Sequence, residues 1–255
     1  SSKQHNYSYE RIDSTLHAWK EIYGNKINTS FPEMNIMYDV DTIGYSTNFK
    51  LPIFAVKLSK DANLSRQDKP RLLILGQCHA EEIYGVEVSM AIIECYLDIE
   101  KCYNKYHYLQ NSIKYYIKNS LSELEVWVIP SHNPDGLKVV YGFCSDKKFD
   151  NELECIQNME NWIEDPTYRK NLYDANNNGL FKKNQDWELG VGNDQDGVDL
   201  NRNYDIHWNY GDEFLEETSS CNDQYFDDYD YYRGVAPFSE PEVQSIKMMA
   251  IKEKF

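Results

Sequence analysis

Three kinds of apolar pattern succeed one another along the chain. Tyr9, Ile12, Leu16, Trp19 and Tyr23 recur at helical spacing and Gly24 follows as a stop, so residues 9–23 predict an amphipathic helix. Residues 36–45 and 53–58 are β-rich on either side of Ser46-Thr47-Asn48, which predicts a hairpin at a sheet edge with no functional content. After a polar connector over residues 61–69, Leu72-Leu73-Ile74-Leu75 form a run bounded by Arg71 and Gly76, the pattern of a buried strand. Ile83, Val86, Met90, Ile93 and Leu97 then carry a helical stripe to about Cys102, a face suited to packing on a sheet. Residues 125–129 read as the next strand. Within residues 141–167, a long connection, Leu153, Ile156, Met159 and Ile163 also fall at helical spacing, and Cys144 and Cys155 flank a polar loop. Strand, helix and strand in this order predict an α/β fold. Residues 1–255 are read as a single domain.

Charge narrows the partners. Lys and Arg number 26 against 42 Asp and Glu, a formal charge of −16, which repels nucleic acid and anionic membrane surfaces. No apolar run is long enough to span a bilayer, and the first residues lack a signal-peptide core. Six cysteines are too few for a disulfide scaffold, but their even count permits pairs in an oxidising compartment. Cys95 and Cys102 could not pair within one helix, since seven residues at 1.5 Å each span roughly 10 Å, beyond the ~7 Å limit for bridged Cα atoms. The localisation expected from this sequence is extracellular or secreted.

Candidate chemistry begins where the strand at 71–75 breaks. Gly76-Gln77-Cys78-His79-Ala80-Glu81-Glu82 delivers a histidine and a glutamate at i and i+3, a spacing that sets both on one face of a helix start where they can share an ion. The second strand runs into Asn133-Pro134-Asp135-Gly136, which has turn chemistry: proline sets φ for one central position and glycine supplies positive φ at the end. Asp174, Asn176 and Asn178, followed by Gly179, read either as a calcium loop or as an Asn/Asp-rich turn without an ion. Tyr168-Arg169-Lys170 stands just before Asp174, and Gly197-Val198-Asp199-Leu200-Asn201-Arg202-Asn203-Tyr204 and Pro237-Phe238-Ser239-Glu240-Pro241-Glu242 follow. In the last of these, Ser239 is the expected helix N-cap.

Taken in order, these segments resemble the zinc metallocarboxypeptidases of the carboxypeptidase A, B and T type. The resemblance implies a mixed, largely parallel central sheet flanked by helices. It also implies peptide or protein C-termini as substrates and Zn2+ as cofactor, with His79 and Glu82 as metal ligands. Asp199 would orient the His79 imidazole, Arg169 would polarise the scissile carbonyl, and Asn201 with Arg202 would grip the substrate's terminal carboxylate. A guanidinium fork matches a carboxylate bidentately, and an amide adds a neutral donor. The chain is expected to be truncated at its C-terminus, carrying roughly the N-terminal two-thirds of the catalytic domain. The family's second zinc histidine, capping tyrosine and water-activating glutamate have no counterpart here, His207 being the one histidine left over. The truncated chain alone is therefore expected to be inactive. Glu81 departs from the family, which often has arginine at that place. Two alternatives stand beside the peptidase: a non-catalytic module that holds C-terminal carboxylates, and a cell-wall amidopeptidase of the same family.

Overall fold

A computed structural model of the chain describes residues 7–24, 37–60, 62–64, 68–106, 117, 119–146, 148–149, 151–174, 196–206, 208 and 232–255. Four strands form the main sheet: β1 (Tyr38–Tyr45), β2 (Pro52–Leu58), β3 (Arg71–Gln77) and β4 (Glu125–Ser131). Their spatial order is β1-β2-β4-β3. β1 and β2 make the expected antiparallel hairpin, β2 also pairs antiparallel with β4, and β3 pairs parallel with β4. The sheet is mixed, and among the described strands its parallel pairing is confined to β3 and β4, which are joined by a helical crossover rather than a tight turn.

Helices cover both faces. α1 (Tyr9–Trp19) is capped by Ser8 and buries Tyr9, Ile12 and Leu16. α2 (Ile83–Leu97) and α3 (Ile99–Tyr106) follow β3, and α4 (Pro134–Tyr141) follows β4. A short α5 (Glu152–Gln157) lies between the two-residue strands β5 (Phe143–Cys144) and β6 (Trp162–Ile163), and α6 (Pro241–Glu253) closes the described chain. Alternation along β4 divides the core: Val126 and Val128 pack with Ile12, Leu16, Met90 and Ile93 on one face, while Trp127 and Ile129 pack with Ile246 and Met249 on the other. Gly44 is required where α6 crosses β1, because a Cβ there would run into the Ser245 side chain. No described helix is long and apolar enough to cross a membrane.

Several local expectations are corrected. The stripe from Ile83 does not run unbroken to Cys102: Asp98 leaves helical geometry at φ −143°, ψ 86°, and its carboxylate accepts from Lys101 N at 2.9 Å to start α3. That break brings the Cα atoms of Cys95 and Cys102 to 4.9 Å, and the two are disulfide-bonded. Cys144 and Cys155 form a second bridge, which ties α5 to β5. The helical reading of Leu153 to Ile163 holds only to Gln157. Leu153, Ile156 and Met159 are exposed, Met159 takes φ 60°, and Ile163 belongs to β6. Asn-Pro-Asp-Gly is a helix start rather than a bare turn. Asn133 caps α4 by accepting from Gly136 N at 3.0 Å, with Pro134 in the first turn. Gly136 serves close packing instead of positive φ, since a Cβ would lie 2.8 Å from Ala80 Cβ. The N-cap of α6 is Glu240, not Ser239, whose hydroxyl donates to the Glu240 carboxylate at 2.8 Å.

Candidate metal centre

The centre is built where β3 and β4 end. Gln77 and Ser131 stand opposite each other in the parallel ladder, and Ser131 Oγ donates to Gln77 Oε1 at 2.5 Å. From there residues 78–82 turn directly into α2. The turn is tight because Gly85 lies against the strand end, where a Cβ would come within 2.9 Å of Gln77 N. Within it, Glu82 N donates to His79 O at 3.1 Å and Gly85 N to Glu82 O at 3.0 Å. This rigid turn places His79 Nδ1 2.9 Å from Glu82 Oε1.

The other imidazole nitrogen, His79 Nε2, lies 3.0 Å from Asp199 Oδ1. Asp199 is completely buried at the start of a 3-10 turn (Leu200–Arg202), where Oδ1 also accepts from Asn201 N at 2.9 Å. Its second oxygen accepts from Arg169 Nε at 3.2 Å and Nη2 at 3.1 Å. Arg169 Nη1 reaches Glu81 Oε1 at 3.4 Å. The structure therefore brings His79, Glu82, Asp199 and Arg169 together. Arg202 lies close enough to stabilise the Asp199 charge, and Asn201 is exposed on the same turn. Asp174 is described but joins no such group, and Asn176, Asn178 and His207 lie outside the described residues. Among the described residues no three His, Cys, Asp or Glu side chains gather around one point as a metal site would require.

Electrostatics follow from this hub. Burial would raise the Asp199 pKa, but the His79 hydrogen bond and the Arg169 charge hold it below the usual carboxylate range. Burial would lower the His79 pKa, yet the Asp199 and Glu82 carboxylates outweigh it and raise the imidazole above its ordinary value. Burial pushes the Cys78 thiol up, with Asp199 and Glu82 adding to it, which disfavours the thiolate.

A frame of buried polar groups fixes the strand ends, and pattern reading missed it. Asn133 Nδ2 donates to Cys78 O at 3.1 Å and to Lys170 O at 3.0 Å, which locks the 168–171 segment to the turn bearing His79. Asn171 Oδ1 accepts from Val198 N at 2.7 Å, and Asn171 Nδ2 donates to Glu240 Oε2 at 2.7 Å. The hairpin loop, from which no functional role was expected, is a structural part of this frame. Ser46 Oγ donates to Asp135 Oδ1 at 2.5 Å, Asn48 N donates to Asp135 Oδ2 at 2.6 Å, and Thr47 gives Glu242 two bonds of 2.7 Å. Ser, Thr and Asn in a tight connection were the available signal, because such residues bond carboxylates as readily as they make turns.

His132, directly after β4, is buried and neither ring nitrogen has a hydrogen-bond partner among the described residues. Burial, with the nearby His79 charge, pushes its pKa down to about 4 from 6.5. The folded state thus refuses a proton that the unfolded chain accepts below pH 6.5, and stability is lost as pH falls toward 4. Glu242 works in the opposite sense. Burial, with Asp135 adding to it, raises its carboxyl to about 7, so acidification favours the folded form through that group. The two offset each other in the wild type. Relative to wild type, His132→Leu should therefore gain about 2 kcal/mol between pH 6.5 and pH 5, read from urea unfolding at both values. An unchanged difference between the two proteins would refute the assignment.

A mixed sheet flanked by helices, with its polar centre at the carboxyl ends of adjacent parallel strands, defines an α/β protein of the kind that binds ligands at that edge. The chain belongs to the zinc carboxypeptidase family, whose sequence pattern matches residues 22–255. The solved structure of thrombin activatable fibrinolysis inhibitor is similar over 100% of this chain and 46% of its own, at 20% identity and TM-score 0.60. Carboxypeptidase A from Helicoverpa armigera is similar over 97% of this chain and 43% of its own, at 20% identity and TM-score 0.59. The bovine form of the inhibitor, solved in complex with tick carboxypeptidase inhibitor, covers 100% of this chain and 58% of its own, at 20% identity and TM-score 0.57. The chain thus spans about half the length of these structures. No curated protein sequence matches it.

Proposed function

We propose that the protein is a zinc-dependent metallocarboxypeptidase that releases C-terminal residues from peptides or proteins by hydrolysis. The observation that carries this reading is the orientation of His79, whose Nε2 is held by Asp199 while Nδ1 faces Glu82 Oε1 at 2.9 Å. An imidazole nitrogen beside a carboxylate oxygen is a zinc donor set, so His79 and Glu82 fit the ion as two of its ligands. When bound, zinc supplies Lewis acidity toward the scissile carbonyl.

The chain's own residues do the rest. Asp199 accepts from His79 Nε2–H and so fixes the tautomer and ring plane that leave Nδ1 for the metal. Arg169, held by the same carboxylate, supplies a fixed positive charge for the carbonyl oxygen on which negative charge develops. Arg202 and Asn201, one turn away, take the substrate's free carboxylate. An extracellular or secreted setting belongs to this reading, supported by the two disulfides.

Zinc titration of the wild type and of His79→Ala tests the metal assignment, with the variant expected to lose the site. Equal affinity in the two proteins would remove His79 from it. In the same protein Arg202→Ala should lose affinity for peptides with a free C-terminus far more than for amidated ones, and equal losses on both would sink the carboxylate role.

A further inference from the structure

The element between β5 and β6 presents its apolar side outward. Leu153 and Ile156 stand one turn apart on α5, the spacing by which a surface helix normally faces its core, yet both are more than half exposed. The cause is covalent. Cys155, roughly opposite them on the helix, is completely buried and bridged to Cys144 of β5, which turns Leu153 and Ile156 away from the protein. Met159 extends that surface at a cost to the fold. Glu160 N donates to Cys155 O at 3.1 Å and Met159 N to Ile156 O at 3.0 Å, the paired bonds of a helix end whose left-handed residue is commonly glycine. Met159 takes that place at φ 60° and is 94% exposed, so a long apolar side chain strains the turn and stands almost wholly in solvent.

This element is fixed beside the candidate centre. Phe143 of β5 packs against the cluster of Ala80, Val139 and Tyr168, Ala80 being the residue after His79. Ser145 Oγ donates to Glu160 Oε2 at 2.8 Å, which with the disulfide holds α5 against β5. β6 ends at Ile163, six residues before Arg169, a stretch that spans at most about 20 Å.

We propose that Leu153, Ile156 and Met159 form a docking surface for the body of a polypeptide substrate, upstream of its C-terminus, an inference that rests on the function proposed above. A chain whose last residue sits at Arg169 and Arg202 covers about 3.3 Å per extended residue, so it reaches this element within about ten residues. Charge selects what docks. Glu152 and Glu154 are exposed in the first turn of α5, beside the apolar side chains, and the whole chain carries a formal charge of −16. The segment that fits is therefore apolar with lysine or arginine next to it, and an acidic segment is repelled.

The test measures equilibrium affinity for two peptides with the same C-terminal residue: a tripeptide, and a peptide of roughly twenty residues whose upstream part carries leucines and lysines. The wild type should bind the long peptide roughly tenfold more tightly or better, and Leu153→Ser/Ile156→Ser should remove that advantage while leaving the tripeptide unchanged. Met159→Gly should also weaken the long peptide while its urea midpoint holds or rises, because glycine suits the left-handed turn. Glutamates in place of the lysines should abolish the advantage. Equal affinity for long and short peptides in the wild type, or an advantage that survives in both variants, would overturn the proposal. So would variants that weaken both peptides alike, or self-association of the wild type that the serines abolish, which would assign the surface to a second copy of the chain. Free against amidated tripeptides test the carboxypeptidase reading separately. A protein that separates these but not long from short loses the docking surface alone, and one that separates neither pair loses the function on which it rests.

Discussion

Asp199→Ala is expected to lower zinc affinity about ten- to a hundredfold, the usual cost of removing the partner that orients a ligating imidazole. The effect should exceed what one lost hydrogen bond implies, because Asp199 is the acceptor for three separate segments. His79 Nε2 comes from the turn after β3, Arg169 from the 168–171 segment, and Asn201 N from the 3-10 turn. With the carboxylate gone, the Arg169 charge and the His79 N–H lose a completely buried acceptor, and breaking a buried pair in this way costs about 3–5 kcal/mol of stability. Asp199→Asn separates the two effects. The amide keeps one acceptor oxygen and its shape but cannot serve His79 and Arg169 together, so folding should survive better than zinc binding. Zinc titration and urea unfolding of both variants are the measurements. Wild-type zinc affinity in Asp199→Ala would mean that Asp199 is structural only.

What the sequence made legible divides along physical lines. β4 was readable as a short apolar run because it is buried on both faces, and α1 by its helical spacing because it buries only one. The His79 and Glu82 pair was readable because a three-residue spacing at the mouth of a helix leaves few geometries. Its link to Asp199 spans 120 residues and came from family resemblance, since nothing in local pattern fixes a contact at that separation. The failures share a cause. Asp98 looks like an ordinary polar position within a helical stripe, yet its carboxylate caps a new helix, and only tertiary geometry shows that the cysteines on either side then meet. The loop at Ser46, Thr47 and Asn48 looks like turn filler because its partners, Asp135 and Glu242, come from segments far along the chain.

The opposite end of the same strands should yield the largest purely structural effect. Glu125, completely buried at the start of β4, lies 2.9 Å from Lys57 Nζ and 2.8 Å from Arg71 Nε, and Arg71 also donates to the Glu253 carbonyl at the end of α6. Burial alone would raise the Glu125 pKa, but the Arg71 and Lys57 hydrogen bonds hold it below the usual carboxylate range. The group therefore contributes stability above the unfolded carboxyl pKa of roughly 4, and that contribution is lost as pH falls through its lower folded value. Glu125→Ala leaves two buried cations without their shared anion and should cost about 3–5 kcal/mol at pH 7, whereas replacing Lys57, Arg71 and Glu125 together by apolar residues of similar volume should recover most of that loss. Six residues of strand, about 20 Å, separate this triad from the His79 turn. Zinc affinity in Glu125→Ala, measured where the protein remains folded, should therefore match the wild type while the urea midpoint falls. A parallel drop in both would show that the two ends of β3 and β4 are coupled through the sheet, and that the position of His79 depends on how firmly the strands are anchored at Arg71.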